Sequence, residues 1–176
     1  MPDIRDRVEE DRGLLKKIQR FIPGFRGYRG REDLRDADRM LRAQVAKKLA
    51  LQRAELEDSR SLITQTFGSK EMDLIGSLIS QYKRLEGKVS HAETGYSGFA
   101  ADIQVKETEI NQLYEFDAHL IDAITAMKID IDSIKSSLLS EDPTASQNAC
   151  NQLRMKLNDF ETEFSKRMVV IEGIEV

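Results

Sequence analysis

The two histidines of the chain are the first candidates for metal or acid–base chemistry. A di-iron carboxylate site on a four-helix scaffold requires the pattern Glu-x-x-His on two helices. The residues three positions before His91 and His119 are Lys88 and Phe116. Because neither is a glutamate, the sequence argues strongly against a di-iron enzyme.

A weaker metal-ligand pattern surrounds His119. Glu115 precedes it by four residues and Asp122 follows it by three, so a helix would place all three on one face. Exposed helix faces produce such groups of polar side chains readily, and we favour that interpretation over a metal site. The sequence contains no phosphate-binding loop, dinucleotide fingerprint or zinc-ligand spacing. We therefore predict no catalytic residue, no metal and no cofactor.

Asp117 and Cys150 are polar or reactive residues that lie on apolar helical stripes. Asp117 falls between Leu113 and Leu120, where a single carboxylate can fix the register of packed helices at a cost in stability. The alternative is a small rotation of the helix that brings Asp117 to water, and we favour it. For Cys150 we predict a buried structural thiol rather than a nucleophile.

The N-terminal region contains the strongest candidate for a binding surface. Between Arg12 and Arg31 the sequence holds seven basic residues and no acidic one. Aromatic residues lie among them, and such a surface can meet an anionic lipid, a nucleic acid or an acidic protein. The candidate interaction surface comprises Lys16, Lys17, Arg20, Phe21, Phe25, Arg26, Tyr28, Arg29 and Arg31.

The same residues have a structural interpretation. Phe25 and Tyr28 could pack on the rest of the chain, with Arg26 and Arg29 paired to acidic helices. The sequence leaves both interpretations open. We expect the two aromatic residues to be structural, so that replacing them destabilises the fold, and the two arginines to contribute little to stability.

The connector after the first helix has a composition that helical packing does not explain. Ile22-Pro23-Gly24-Phe25 predicts a type II turn, because Pro suits its first central position and Gly accepts the positive φ of the second. The run IPGFRGY, followed by a charged helix with Asp38 and Leu41-Arg42, resembles small prokaryotic proteins of unassigned function. The resemblance covers about residues 14–42 and implies no activity.

Apolar residues at three- and four-residue spacing predict five helices that would position these groups. The predicted ranges are 3–22, 32–67, 70–93, 103–138 and 144–172. The fourth forms the longest uninterrupted helical register and contains no Pro or Gly. Gly95 and Gly98 before it permit either a turn or a kink. Short connections make consecutive helices antiparallel neighbours.

The composition agrees with helices. A third of the residues are charged and Trp is absent, a mixture typical of long helices. We predict an all-α fold with over about 70% helix, built as an elongated antiparallel up-and-down bundle or coiled-coil hairpins. Residues 1–30 form an N-terminal basic amphipathic helix and connector, and residues 31–176 form the long-helix bundle.

Function and location can be predicted only as classes. A single cysteine and the absence of a signal-peptide pattern favour a soluble cytoplasmic protein, with a membrane-peripheral location as the alternative. We predict a non-enzymatic interaction or scaffold protein that forms a homo-oligomer or binds a protein partner. The first alternative is a peripheral membrane protein anchored on an anionic surface by residues 12–31. The second, less favoured, is a nucleic-acid binder that uses the same basic residues.

Overall fold

The computed structural model describes residues 4–28, 31–92 and 106–175, except for the side chains at 4–8, 11, 31–33 and 174–175. The described part is 87% helical and contains no strand, which confirms the predicted all-α helical bundle. In chain order its helices are α1 (Ile4–Phe21), α2 (Arg31–Ser59), a short 3-10 helix (Arg60–Leu62), α3 (Ser69–Ser90), α4 (Glu107–Leu139) and α5 (Pro143–Glu175). The alternatives of a turn or a kink at Gly95 and Gly98 lie outside the described residues.

The long helices pack so that α2 and α5 each lie between α3 and α4. Consecutive helices α2 and α3 are neighbours, as are α4 and α5. In the described part of the chain, however, α3 and α4 occupy opposite corners of the bundle, so the prediction that all consecutive helices are neighbours was wrong for this pair. The connection between them, from Ala92 to Lys106, is too long to force two helices together as a short loop does.

Polar contacts between helices give their directions. Gln52 Nε2 on α2 donates a hydrogen bond to the Ile124 carbonyl on α4 at 2.9 Å, and Thr64 Oγ1 donates to Glu141 Oε1 at 3.0 Å. Since both residue numbers rise together, α2 and α4 are parallel. The hydroxyl of Tyr82 on α3 donates to the same Gln52 at 2.9 Å. This buried amide therefore joins three helices near the middle of the bundle.

The second helix is shorter than the sequence predicted. It ends at Ser59 rather than near Phe67, and a 3-10 turn follows. The Ser59 hydroxyl donates to the Leu56 carbonyl at 2.7 Å, a local bond of the kind that competes with continued helix. Phe67 still reaches the core with 7% of its surface exposed. Periodicity therefore gave the correct buried residue in a segment that is not helical.

The start of α5 agrees with its predicted signals. Asp142 Oδ1 accepts a hydrogen bond from the Ala145 backbone N–H at 3.0 Å, which caps the helix, and Pro143 is its first residue. Helices α4 and α5 each contain 33 residues, a length of about 50 Å. The predicted longest helix therefore has a partner of equal length.

The first helix packs against the outer side of α4. Within α1, Ile18 is fully buried, and Ile22, the first residue after the helix, is 3% exposed. Both belong to the same apolar core as the four longer helices. Of the helices described, none combines the length and apolarity needed to cross a membrane.

Candidate functional site

The connector between α1 and α2 begins with the predicted turn. The Phe25 backbone N–H donates to the Ile22 carbonyl at 3.2 Å, and Gly24 has a φ of +86°. These are the hydrogen bond and the positive φ of a type II turn. Gly27 has a φ of +97°, and a Cβ on it would lie 2.5 Å from the Tyr114 hydroxyl oxygen. Glycine is therefore required at position 27 for both conformation and space.

The two aromatic residues of the connector belong to the core. Phe25 is 3% exposed and Tyr28 is fully buried. Their rings meet edge to face, with centroids 5.4 Å apart, and the Tyr28 ring lies 5.2 Å from that of Tyr114 on α4. The Tyr28 backbone N–H also donates to the Tyr114 hydroxyl at 3.2 Å. The connector is thus fixed to α4 by both backbone and side chain.

The Tyr28 hydroxyl is part of a buried ion cluster, which we define as Tyr28, Asp38, Asp117 and Arg167. All four residues are at most 1% exposed. The Arg167 guanidinium donates from Nε to Asp117 Oδ1 at 2.6 Å, from Nη1 to Asp38 Oδ1 at 2.6 Å, and from Nη2 to the Tyr28 hydroxyl at 3.0 Å. The same hydroxyl donates to Asp117 Oδ2. One arginine of α5 therefore binds groups on α2, α4 and the connector.

Arg42 extends the cluster to the end of α3. Its Nε donates to Asp38 Oδ2 at 2.8 Å, and its Nη1 lies 3.4 and 3.3 Å from the carbonyl oxygens of Val89 and Ser90. Two guanidinium groups then face two carboxylates, so the charges balance. Together the contacts join the connector and the four longer helices at one end of the bundle.

Burial and charge act in opposite directions on these groups. Burial by itself would lower the pKa of Arg167, but Asp117, Tyr28 and Asp38 raise that pKa well above its ordinary value. Burial, and after it the Asp117 carboxylate, raises the pKa of Tyr28 well above its ordinary value. Burial also raises the pKa of Asp117, with the Arg167 charge as the largest opposing influence. Both oxygens of Asp117 accept hydrogen bonds, one of them from a guanidinium, and these contacts favour its anionic form.

The buried position of Asp117 corrects a prediction. We favoured a rotation of the helix that would bring this carboxylate to water, and that was wrong, because Asp117 is fully buried. Arg167 supplies the counter-charge, and sequence reasoning missed it. The available signal was position: Asp38 lies between Leu34 and Leu41 on the α2 stripe, and Arg167 follows Phe164 by three residues on α5. Opposite charges on three apolar stripes predict a shared buried site.

The exposed basic residues of α1 form a separate surface. Arg12, Lys16 and Arg20 follow one another at four-residue intervals and all three are exposed. We call these three residues the basic stripe. Lys17 is half-buried and pairs with Asp122 of α4, Nζ to Oδ1 at 2.5 Å. Arg26, on the connector, is also exposed.

The structure thus divides the candidate interaction surface. Lys16, Arg20 and Arg26 face solvent, Phe21 is half-buried, and Phe25 and Tyr28 lie in the core. Arg29 and the side chain of Arg31 lie outside the described residues. The aromatic and basic residues that the sequence interleaves therefore do not form one mixed surface.

The other candidate residues have separate positions. His119 is exposed and its Nδ1 lies 3.9 Å from Glu163 Oε2, while Asp122 is paired with Lys17. Within the described ranges, no group of His, Cys, Asp and Glu side chains has a metal-binding arrangement. Cys150 is 1% exposed, and burial raises the pKa of its thiol to about 11. The predicted buried thiol is confirmed.

No protein-family model, curated protein or solved structure matches the chain. The resemblance of residues 14–42 to small prokaryotic proteins stays a prediction. The function must therefore be inferred from the geometry of the buried ion cluster and of the basic stripe.

Proposed function

We propose that this chain is a non-enzymatic interaction protein that binds an anionic partner surface through the basic stripe. The observation that carries the proposal is the regular exposure of Arg12, Lys16 and Arg20 along one side of α1. Three cations at one-turn spacing form an elongated positive surface, which attracts a surface of opposite charge. Arg26, also exposed, lies beyond the C-terminal end of this stripe and adds to its charge.

The connector supports this function by orienting α1. Gln19 Nε2 donates to the Phe25 carbonyl at 3.1 Å, which ties the last turn of the helix to the connector. Phe25 and Tyr28 are in turn held by the core and by the buried ion cluster. A surface held in one orientation loses less conformational entropy when a partner binds.

The buried positions of the aromatic and apolar residues argue against two alternatives, nucleic-acid binding and membrane insertion of the docked helix. Recognition of single-stranded nucleic acid uses exposed aromatic rings on which bases stack, and Phe25 and Tyr28 are buried. Membrane insertion uses the apolar face of an amphipathic helix, and α4 covers that face of α1 through Ile18. While α1 is docked on α4, it can attract a nucleic acid or a membrane only through its exposed basic residues.

Self-association remains a prediction within this proposal. Six large apolar side chains are exposed in the described residues, on four different helices, and they are candidates for contacts between copies. A mass measured by multi-angle light scattering would test this, and a monomer at all concentrations would contradict it. The exposed apolar residues are Leu51, Met72, Ile129, Leu139, Met155 and Val169.

The basic stripe can be tested with an acidic probe. A fluorescently labelled polyglutamate peptide should bind the protein at low salt and dissociate as salt rises, because exposed charges are screened. K16E/R20E should weaken the binding at least about tenfold, which corresponds to 1.4 kcal/mol.

The matched control carries the same change of charge at two other exposed lysines. K47E/K70E reverses Lys47 on α2 and Lys70 on α3. It should retain most of the affinity for polyglutamate. Equal loss in the two variants would contradict a specific role for the stripe, and so would equal retention.

A further inference from the structure

Among the described side chains of α1, those that pack on the bundle lie in its C-terminal half. Before Leu14 the described side chains are those of Glu9, Glu10 and Arg12, and all three are exposed. From Leu14 onward the apolar side of the helix is buried or partly buried against the core. The described attachment of α1 to α4 therefore spans about two turns, which makes the helix a candidate for local opening.

The polar contact between the two helices is also exposed. Lys17 and Asp122 have side chains that are 39% and 60% exposed. Ion pairs in water contribute little to stability, and salt weakens them further. An anionic surface close to α1 would compete for the Lys17 ammonium group.

A hinge separates α1 from the part of the chain that is firmly held. The turn at Ile22–Phe25 contains Gly24, and beyond it Phe25 and Tyr28 are buried. Tyr28 is bound by Arg167 and Asp117. A movement of α1 at the turn would break the hydrogen bond from Gln19 to the Phe25 carbonyl and leave Phe25 and Tyr28 in the core.

The two sides of α1 match what an anionic lipid surface binds. One side carries the basic stripe, and the other carries Leu14, Leu15, Ile18 and Phe21. A helix of this kind lies in the membrane interface, with its apolar side among the acyl chains and its cations near the headgroups. Stable attachment needs both the apolar side and the cations, and the docked helix presents only its cations.

We propose that α1 is a hinged amphipathic helix that leaves α4 and transfers its apolar side to an anionic lipid surface. This rests on the proposed function, because the basic stripe supplies the initial attraction. The buried ion cluster keeps the connector attached, so the bundle remains tethered to the lipid-bound helix. Docked α1 shields its own apolar side until such a surface is near.

Insertion can be followed with a single tryptophan. The chain has no tryptophan, so F21W places a unique fluorophore on the apolar side of α1. With vesicles that contain phosphatidylglycerol its emission should shift to the blue, and brominated acyl chains should quench it. Vesicles of phosphatidylcholine alone should cause neither change. In the F21W background, K16E/R20E should weaken the response, since each basic residue near such a surface strengthens binding about fivefold.

A cross-link tests the hinge itself. K17C/D122C, joined by a short bismaleimide, would hold α1 on α4. The control is the same variant capped with N-ethylmaleimide, and Cys150 does not compete because it is buried. In the F21W background the cross-linked protein should lose quenching by brominated lipid, whereas the capped protein should retain it.

The outcomes separate this inference from the proposed function. Equal quenching in the cross-linked and capped proteins would overturn the hinge. Binding of polyglutamate without any response to anionic vesicles would overturn the lipid partner and favour an acidic protein, with the basic stripe still in use. If K16E/R20E retained full binding to both probes, the proposed function would fail as well.

Discussion

At the residue scale, Arg167 has the most distinctive environment. Its charge is fully buried and is matched by Asp38 and Asp117. Replacing a buried ion pair with apolar groups can be neutral, but removing one partner leaves an uncompensated charge and costs about 3–5 kcal/mol. Arg167→Met should therefore lower the free energy of unfolding by about that amount, as measured by urea denaturation.

The neighbouring residue gives the control for this prediction. Lys166 is 59% exposed and pairs with Glu163 at the surface, so Lys166→Met should change the stability by less than about 1 kcal/mol. A second test is D117N/R167M, whose loss should be smaller than the sum of the two single losses. Additive losses would contradict the buried pairing.

The aromatic residues of the connector give a second prediction. Phe25→Ala and Tyr28→Ala together should destabilise the protein severely, since truncating one buried phenylalanine costs about 3–5 kcal/mol. Arg26→Gln should leave the melting temperature almost unchanged, because Arg26 is exposed. A double variant that melts like the parent protein would show that the connector is not part of the core.

At the element scale, the sequence predicted the helices better than their arrangement. Stripes of apolar residues located all five helices, because burial of one face imposes the spacing. The end of α2 at Ser59 depends on one side-chain bond to the backbone. The diagonal placement of α3 and α4 depends on long-range packing. Neither leaves a periodic signal.

The buried ion cluster could be predicted only in part. The sequence predicted that Asp117 lies on an apolar stripe, and it predicted the positive φ of Gly24 in the turn. It did not indicate that Arg167 lies 2.6 Å from Asp117, because the two residues are 50 positions apart. Which charges meet across a bundle depends on the relative rotation of its helices, which one stripe does not determine.

The ion pairs between Glu55 on α2 and two lysines on α4 predict that the stability of the fold depends on pH. Glu55 Oε2 accepts hydrogen bonds from Lys128 at 2.6 Å and Lys135 at 2.5 Å. Burial would raise the pKa of Glu55, but the two lysines lower it overall. A carboxyl with a depressed folded-state pKa stabilises the fold above its unfolded pKa of about 4.3. That contribution is lost as the pH falls through the lower folded-state value.

The measurement is urea denaturation at pH 7 and at pH 3. Glu55→Gln should lower the free energy of unfolding at pH 7 by about 1 kcal/mol or less, since Glu55 is 31% exposed. At pH 3 the difference from the parent protein should shrink. Glu115→Gln, at an exposed position on α4, is the matched control and should change the stability at pH 7 by less than about 0.5 kcal/mol. The same deficit at both pH values would contradict the role of the two lysines.

At the scale of the whole molecule, stability should differ between α1 and the bundle. Four helices share one core, and the buried ion cluster joins α2, α4 and α5 to the connector at one end, while Arg42 extends these contacts to α3. The described part of helix α1 contributes about two turns to that core, and a turn with a glycine at positive φ follows the helix. A segment with few buried contacts opens at a lower free energy than global unfolding.

Hydrogen exchange measures this difference directly. Amides of residues 14–21 should exchange through a local opening, faster than those of residues 120–131 in α4, whose exchange should require global unfolding. Arg167→Met should reduce protection in α4 more than in α1, because the cluster holds the bundle rather than the helix before the hinge. The cross-link in K17C/D122C should raise the protection of residues 14–21 above that of the capped control. Equal protection in α1 and α4, unchanged by the cross-link, would mean that α1 leaves the bundle only when the whole protein unfolds, and that result would contradict a hinged helix.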